Sequence, residues 1–311
     1  MINGTIWKDV NGNEIYAHGG HILKHGEYYY WYGENRKDNI YVSCYRSKNL
    51  KDWEFRKNVL TTNSPCENLL DFNADINLFD TENGVKKKVN IERPKVLYNE
   101  KTKKFVMWAH YENGTDYLCA RCAIALCDTP DGEFVYCGSF NPLGEMSRDC
   151  TLFKDGESAY FISTARDNAD LHVYLLNESY TGIEKCAAKL CIGEYREAPA
   201  VFKKGEKYYM LSSACTGWAP NQGKWAYADN IVGEWSSLEN FGDETTFRSQ
   251  PAFVLPLING KDTEFLYFGD RWGGKGENYF KSSYVVLKIK FDGNKPYIVY
   301  DEKFDTSGFM C

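Results

Sequence analysis

Five short stretches of this chain share one layout: a polar or acidic head, a short spacer, then a pair of apolar residues. They are His18-Gly19-Gly20-His21-Ile22-Leu23, Glu92-Arg93-Pro94-Lys95-Val96-Leu97, Arg148-Asp149-Cys150-Thr151-Leu152-Phe153, Glu197-Ala198-Pro199-Ala200-Val201-Phe202 and Gln250-Pro251-Ala252-Phe253-Val254-Leu255. Each is followed by a turn signal and an aromatic run, such as Gly26-Glu27 before Tyr28 to Tyr32, or Lys204-Gly205-Glu206 before Tyr208 to Leu211. Gly156 and the Asn259-Gly260-Lys261 turn fill the same place in the third and fifth stretches. Turn residues between two strand-like runs are a hairpin signal. Five such units at long spacing predict an all-β, five-bladed β-propeller, because small sheets arranged radially bury one another's faces. In that arrangement the first strand of each blade lines the central channel, and its leading residue points into the funnel.

Third and fourth strands follow in most units. Tyr41 to Ser47 leads to Asp52-Trp53-Glu54-Phe55, Ala120 to Leu126 leads to Phe134-Val135-Tyr136, and Lys224 to Ala228 leads to Gly233-Glu234-Trp235. Leu171 to Leu176 supplies the third strand of blade three, whose outer strand is blurred. The stretch 61–90 is polar and without periodicity, and is read as a loop insertion between blades one and two. Residues 1–311 are read as a single catalytic propeller domain. No segment carries a convincing helical apolar stripe.

Composition removes several classes of function. With 311 residues the chain suits one all-β domain. The net charge of -6, with no basic cluster beyond Lys86-Lys87-Lys88, argues against nucleic acid as a partner. That triplet is read as a solvated loop. No apolar run approaches membrane-spanning length, so no membrane partner is expected. Eleven cysteines are spread without a framework. Cys119, Cys122 and Cys127 come closest to a metal pattern, but strand alternation puts Cys119 and Cys122 on opposite faces. No metal and no organic cofactor is expected, and the cysteines are read as free thiols of a reducing compartment. The start Met1-Ile2-Asn3-Gly4 has no basic region and no apolar core of a signal peptide. The expectation is a cytoplasmic protein, or a secreted one if a leader has been removed.

Four of the five heads, Glu92, Asp149, Glu197 and Gln250, would therefore meet at a hub although they are far apart in the chain. Glycoside cleavage needs one protonated carboxyl to give a proton to the leaving oxygen, and usually a second carboxylate across the sugar ring. Carboxyls gathered in a partly dry funnel raise one another's pKa. Asp149, from the preceding blade, is suited to hold Glu197 protonated.

The run Ala17 to Leu23, the segment Trp31-Tyr32-Gly33-Glu34, Glu92-Arg93-Pro94, Ser147-Arg148-Asp149, Glu197-Ala198-Pro199 and Ser249-Gln250-Pro251 together resemble glycoside hydrolase family 43. The similarity is closest to its exo-β-1,3-galactanase branch, subfamily 24, and runs from about residue 10 to about residue 300. The resemblance implies an inverting exo-hydrolase that releases galactose from β-1,3-galactan or galacto-oligosaccharides. It also implies Glu197 as general acid and Asp149 as the residue tuning its pKa. Most of the family carries a general-base aspartate on the first inner strand, where this chain has His18-Gly19-Gly20. For the base, Gln250 acting as an imidic-acid tautomer and the carboxylate Glu92 both stay open. The branch implies substrate contacts at positions like Tyr111, Thr216 and Trp218. Glu34, Asn168 and Trp272 are added as candidate sugar ligands, the tryptophans offering flat faces to the apolar side of galactose. His18 reads as a satisfied channel histidine. Three rivals remain: a β-xylosidase or α-L-arabinofuranosidase of the same fold, a propeller phosphorylase using Arg93, Arg148 and Arg271, and a non-catalytic sugar-binding propeller.

Overall fold

The structure, a computed structural model, describes residues 1–82, 84–259 and 262–305. Twenty of its strands form five antiparallel four-stranded sheets, each made of consecutive strands. Blade one consists of His18–His25, Tyr28–Glu34, Ile40–Ser47 and Glu54–Thr61; blade two of Asn90–Asn99, Lys104–Glu112, Arg121–Cys127 and Val135–Phe140. Blade three is built from Cys150–Asp155, Ser158–Ala165, Asp170–Leu176 and Ile183–Leu190; blade four from Arg196–Lys204, Lys207–Ala214, Gly223–Ala228 and Glu239–Phe241. Blade five is Gln250–Asn259, Asp262–Arg271, Ser283–Asp292 and Lys295–Tyr297. Each blade's first strand packs on the next, and that of blade five packs back on that of blade one, which closes the ring. The propeller expected from the five repeated heads is the fold observed.

Local chemistry explains the hairpins. In blades one, three and four the first two strands are joined by a two-residue Gly-Glu turn: Gly26-Glu27, Gly156-Glu157 and Gly205-Glu206. The three glycines have φ of +57°, +58° and +59°, and none of the glutamates is left-handed. A positive φ at the first central position alone is the type II′ turn, whose twist matches the flanking strands. The fifth-blade turn at Gly260-Lys261 lies outside the described residues.

Cores form between neighbouring blades rather than inside any one of them. Between blades five and one, Trp31 lies 5.1 Å from Trp53 and 4.8 Å from Tyr284 between ring centroids, with Phe253 stacked on Phe268 at 4.5 Å. Full burial of one large apolar side chain is worth about 1.5–3 kcal/mol, so the aromatic packing at this seam favours closure of the ring. The N-terminal segment reinforces it: Asn3 donates to the carbonyls of Val286 and Asp301 at 2.9 Å and accepts from the Val286 N–H at 2.8 Å.

Two readings of the chain change here. The stretch 61–90 is not wholly loop, since Phe79–Glu82 and Val85–Lys88 pair as a small hairpin that contains the lysine triplet. Two residues before it bridge to the outer strand of blade two, Cys66 with Tyr136 and Asp75 with Ser139. The blurred outer strand of blade three runs over Ile183–Leu190 with two register shifts against its neighbour, and in blade four the outer strand is only Glu239–Phe241, beyond Trp235. Among the described residues no helix is long and apolar enough to cross a membrane. Ten described cysteines are free, and Cys122 and Cys127 donate to different backbone carbonyls, those of Phe140 and Glu133.

Candidate active site

Every first strand except that of blade three is bulged at its head: the register shifts between His18 and His21, Glu92 and Lys95, Glu197 and Ala200, and Pro251 and Phe253. In three blades the residue after the head is left-handed: Gly19 (φ +56°), Arg93 (+53°) and Ala198 (+53°). A bulge of this kind re-aims one side chain and bends the strand, and it turns Glu92 and Glu197 into the channel mouth. Left-handed backbone in a non-glycine residue is strained and persists where the surroundings over-determine it.

The heads converge on a pocket of about 180 Å³ lined by Glu34, Glu92, Asp149, Glu197, Gln250, Trp218 and Trp272 together with Arg36, Arg93, Tyr117 and Gly217. A space of this size admits several waters and, in their place, the ring of one bound sugar. Trp218 and Trp272 stand edge to face at 5.5 Å and form one wall.

Arg93 organises the floor. Its Nε lies 3.0 Å from Asp149 Oδ2, Nη1 donates to the Pro251 carbonyl at 2.7 Å, and Nη2 donates to Gln250 Oε1. Gln250 is held on all sides: Trp272 Nε1 donates to Oε1 at 2.7 Å, and Nε2 donates to Glu197 Oε1 and Ser213 Oγ, both at 2.9 Å. Burial pushes the Glu197 carboxyl up to about 7, and the Asp149 charge adds to the rise. A carboxyl that keeps its proton near neutrality is what a general acid requires.

Across the hub, Arg36 bridges two carboxylates. Both its Nε and Nη2 donate to Glu34 Oε2, at 3.0 and 2.9 Å, and Nη2 also donates to Glu92 Oε1 at 2.8 Å. Tyr117 donates its hydroxyl to the same Glu92 oxygen at 2.8 Å, and His110 Nδ1 lies 3.4 Å from Glu92 Oε2. The other His110 nitrogen is 2.8 Å from Glu112 Oε1, a carboxylate with no solvent exposure. Burial would raise Glu92, but Arg36 and His110 outweigh it and hold its carboxyl well below the usual range. Burial raises Glu34, Arg36 opposes that rise, and the Glu92 charge adds to it. His110, which burial alone would lower, is pushed up to about 9 by Glu112 and Glu92.

Glu92, His110 and Asp149 present ligand atoms within 4.8 Å of one another, a set of metal-binding type that the linear chain did not reveal. Both carboxylates are already paired with guanidinium groups, Glu92 with Arg36 and Asp149 with Arg93, so the protein itself supplies positive charge there. Deeper in the channel, buried Lys95 donates to the carbonyls of Gly19 at 2.5 Å and Arg93 at 3.4 Å, tying together the bulges of blades one and two. His18 is satisfied, with Nδ1 at 2.9 Å from Asp270 Oδ1.

Three expected sugar contacts lie outside the pocket. Tyr111 belongs to the apolar core and donates to the Asn77 carbonyl at 3.3 Å. Strand alternation sends His110 to the hub and its neighbour Tyr111 away from it. Thr216 donates to the Ala219 carbonyl at 2.6 Å and accepts from Asn221 at 2.7 Å, so its hydroxyl closes the loop that presents Trp218. Asn168, left-handed at φ +63°, sits in the turn behind the Cys215 thiol, which adjoins Glu197. Residues absent from the expected site are Arg36, Tyr117, His110 and Cys215. Arg36, two residues beyond Glu34, is the one a close reading of the strand end could have found.

No protein-family profile matches the chain, and no curated protein sequence does. Solved structures do. An exo-β-1,3-galactanase from Clostridium thermocellum is 45% identical, with a TM-score of 0.89 over 100% of this chain and 68% of that one. An exo-β-1,3-galactanase from Phanerochaete chrysosporium, solved with β-1,3-galactotriose, is 30% identical at a TM-score of 0.85, covering 100% of this chain and 69% of that one. A family 43 β-1,3-galactosidase solved with galactodeoxynojirimycin is 30% identical at a TM-score of 0.84, covering 98% of this chain and 100% of that one. The chain thus spans about two thirds of the first two relatives and all of the third. The five-bladed propeller, the carboxyls gathered in its funnel and these relatives together show a glycoside hydrolase. The chain belongs to glycoside hydrolase family 43.

Proposed function

We propose that this protein is an inverting exo-hydrolase that removes galactose one unit at a time from the non-reducing end of β-1,3-galactan or of β-1,3-linked galacto-oligosaccharides. The observation that carries this reading is the Glu197 carboxyl, raised to about 7 by burial and by Asp149, at the edge of a pocket sized for one sugar ring. The 45% identity to an exo-β-1,3-galactanase supports galactose as that sugar. In this reading Glu197 protonates the leaving oxygen and Asp149 raises its proton affinity. Gln250 fixes the direction of the Glu197 carboxyl, and Glu92, kept ionised, accepts hydrogen bonds from sugar hydroxyls. Residues 1–311 act as one catalytic unit. The ten described cysteines, all of them free, favour work in a reducing compartment on imported oligosaccharides.

The test is incubation with β-1,3-galactobiose, with and without phosphate, following the first-formed anomer by NMR. Release of α-galactose independent of phosphate is expected. Formation of galactose 1-phosphate would instead make the protein a phosphorylase, and β-galactose as first product would overturn inversion.

A further inference from the structure

Inverting hydrolysis requires a group across the sugar from the acid to take a proton from the attacking water. Three side chains of the pocket compete for that task, and their hydrogen bonds separate them. Gln250 is saturated: its oxygen receives N–H groups from Arg93 and Trp272, both donor-only, and its nitrogen donates to Glu197 and Ser213. Protonating that oxygen would set a new hydrogen against two others. Gln250 is also bonded to the acid itself, on the adjoining blade. Glu92 has one oxygen taken by Arg36 and Tyr117 and the other facing His110.

Glu34 differs from Gln250 in keeping an oxygen without a donor, and from Glu92, whose second oxygen faces the His110 imidazole at 3.4 Å. Arg36 engages only its Oε2, and Oε1 accepts no hydrogen bond among the described residues. That free oxygen lies 2.7 Å from the point where a side chain on Gly19 would begin. It fills the space left open by the glycine at the head of the first inner strand. Glu34 ends the second strand of blade one, paired with His18, and blade one does not adjoin blade four, which carries Glu197. The two carboxyls therefore line one pocket from separate sectors of the ring.

We infer that Glu34 is the general base of this enzyme. As the water oxygen bonds to the anomeric carbon, Glu34 Oε1 takes its proton, Glu197 gives a proton to the leaving oxygen, and the glycosidic C–O bond breaks. One water is consumed, and exchange with solvent restores both carboxyls. This assignment rests on the hydrolase reading above.

The test compares wild type, Glu34→Gln, Glu34→Asp and Gln250→Ala of the full chain on β-1,3-galactobiose and on an aryl β-galactoside, with and without sodium azide. Glu34→Gln should lose about 10²-fold or more in kcat, with a smaller change in KM, and azide should restore turnover. Azide attacks from the water's side and needs no base, so the rescued product is α-galactosyl azide. Glu34→Asp keeps a carboxylate in a shorter side chain and should retain more activity than Glu34→Gln. A Glu34→Gln enzyme with near-normal kcat and a raised KM would make Glu34 a sugar ligand and overturn the assignment. Azide rescue confined to Gln250→Ala would do the same. Should wild type itself release no galactose, the functional reading falls and the assignment with it. Should wild type turn over while Glu34→Gln matches it, only the assignment falls.

Discussion

The Gln250 carboxamide donates to Glu197 Oε1 at 2.9 Å, so a neutral side chain of blade five sets the direction of the carboxyl on blade four. Trp272 fixes that amide in turn through its Nε1–H at 2.7 Å. Trp272→Phe keeps an aromatic wall and removes only the donor. It should lower kcat by about tenfold, the scale of about 1.4 kcal/mol for one lost hydrogen bond, and leave KM for galactobiose little changed. Steady-state kinetics on the purified variant decide this, and a change confined to KM would show that Trp272 acts as a platform alone.

Glu197→Gln removes the proton donor while keeping the bond to Gln250. Turnover of galactobiose should fall by about 10²–10⁴-fold. On an aryl galactoside whose leaving group departs without protonation the loss should be far smaller. Parallel rates on the two substrates check this, and equal losses on both would remove Glu197 from the acid role.

The acid works in its protonated form, and its carboxyl sits at about 7. Activity should therefore fall as pH rises through about 7. Burial is the first cause of that value and the Asp149 charge the second, so Asp149→Asn should move the alkaline limb to lower pH. A kcat profile from pH 4 to 9 measures it, and an unmoved limb would separate Asp149 from the acid.

His110 lies buried between two carboxylates, and its pKa is raised from the ordinary imidazole value to about 9. Its charged form is thus bound more tightly in the folded state. The stability it contributes is complete below about 6.5 and is lost as pH rises through about 9. His110→Leu takes the imidazolium from buried Glu112, which keeps only the Ala120 N–H at 3.0 Å and Arg148 at 3.9 Å, and should cost about 3 kcal/mol. Melting temperatures at pH 6 and pH 9 should differ more in wild type than in the variant.

Much of this architecture is legible residue by residue. His18, Glu92, Glu197 and Gln250 each stand four residues before their apolar pair, and the Gly-Glu turns announce hairpins, because both signals are local. Tyr111 lies in the core and His110 at the hub, because a shift of one residue in a strand exchanges the two. Thr216 bonds within its own loop, which the chain does not announce, since a loop hydroxyl serves sugar and backbone equally well. Arg36, Tyr117 and His110 carry no repeat and acquire a role only beside Glu92 and, for Arg36, Glu34.

The order of residues by itself determined five sheets, their inner strands and the polar group heading each, since alternation and turn preference act over a few positions. Only the folded ring decided which carboxyl keeps a proton. Glu34 ends a second strand while Glu92 and Glu197 head first strands; all three are the same residue type, yet burial and the placing of Arg36, Arg93 and Asp149 separate their proton affinities. Charges act through space over a few ångströms in a medium of low dielectric, and those distances exist only once the blades have closed.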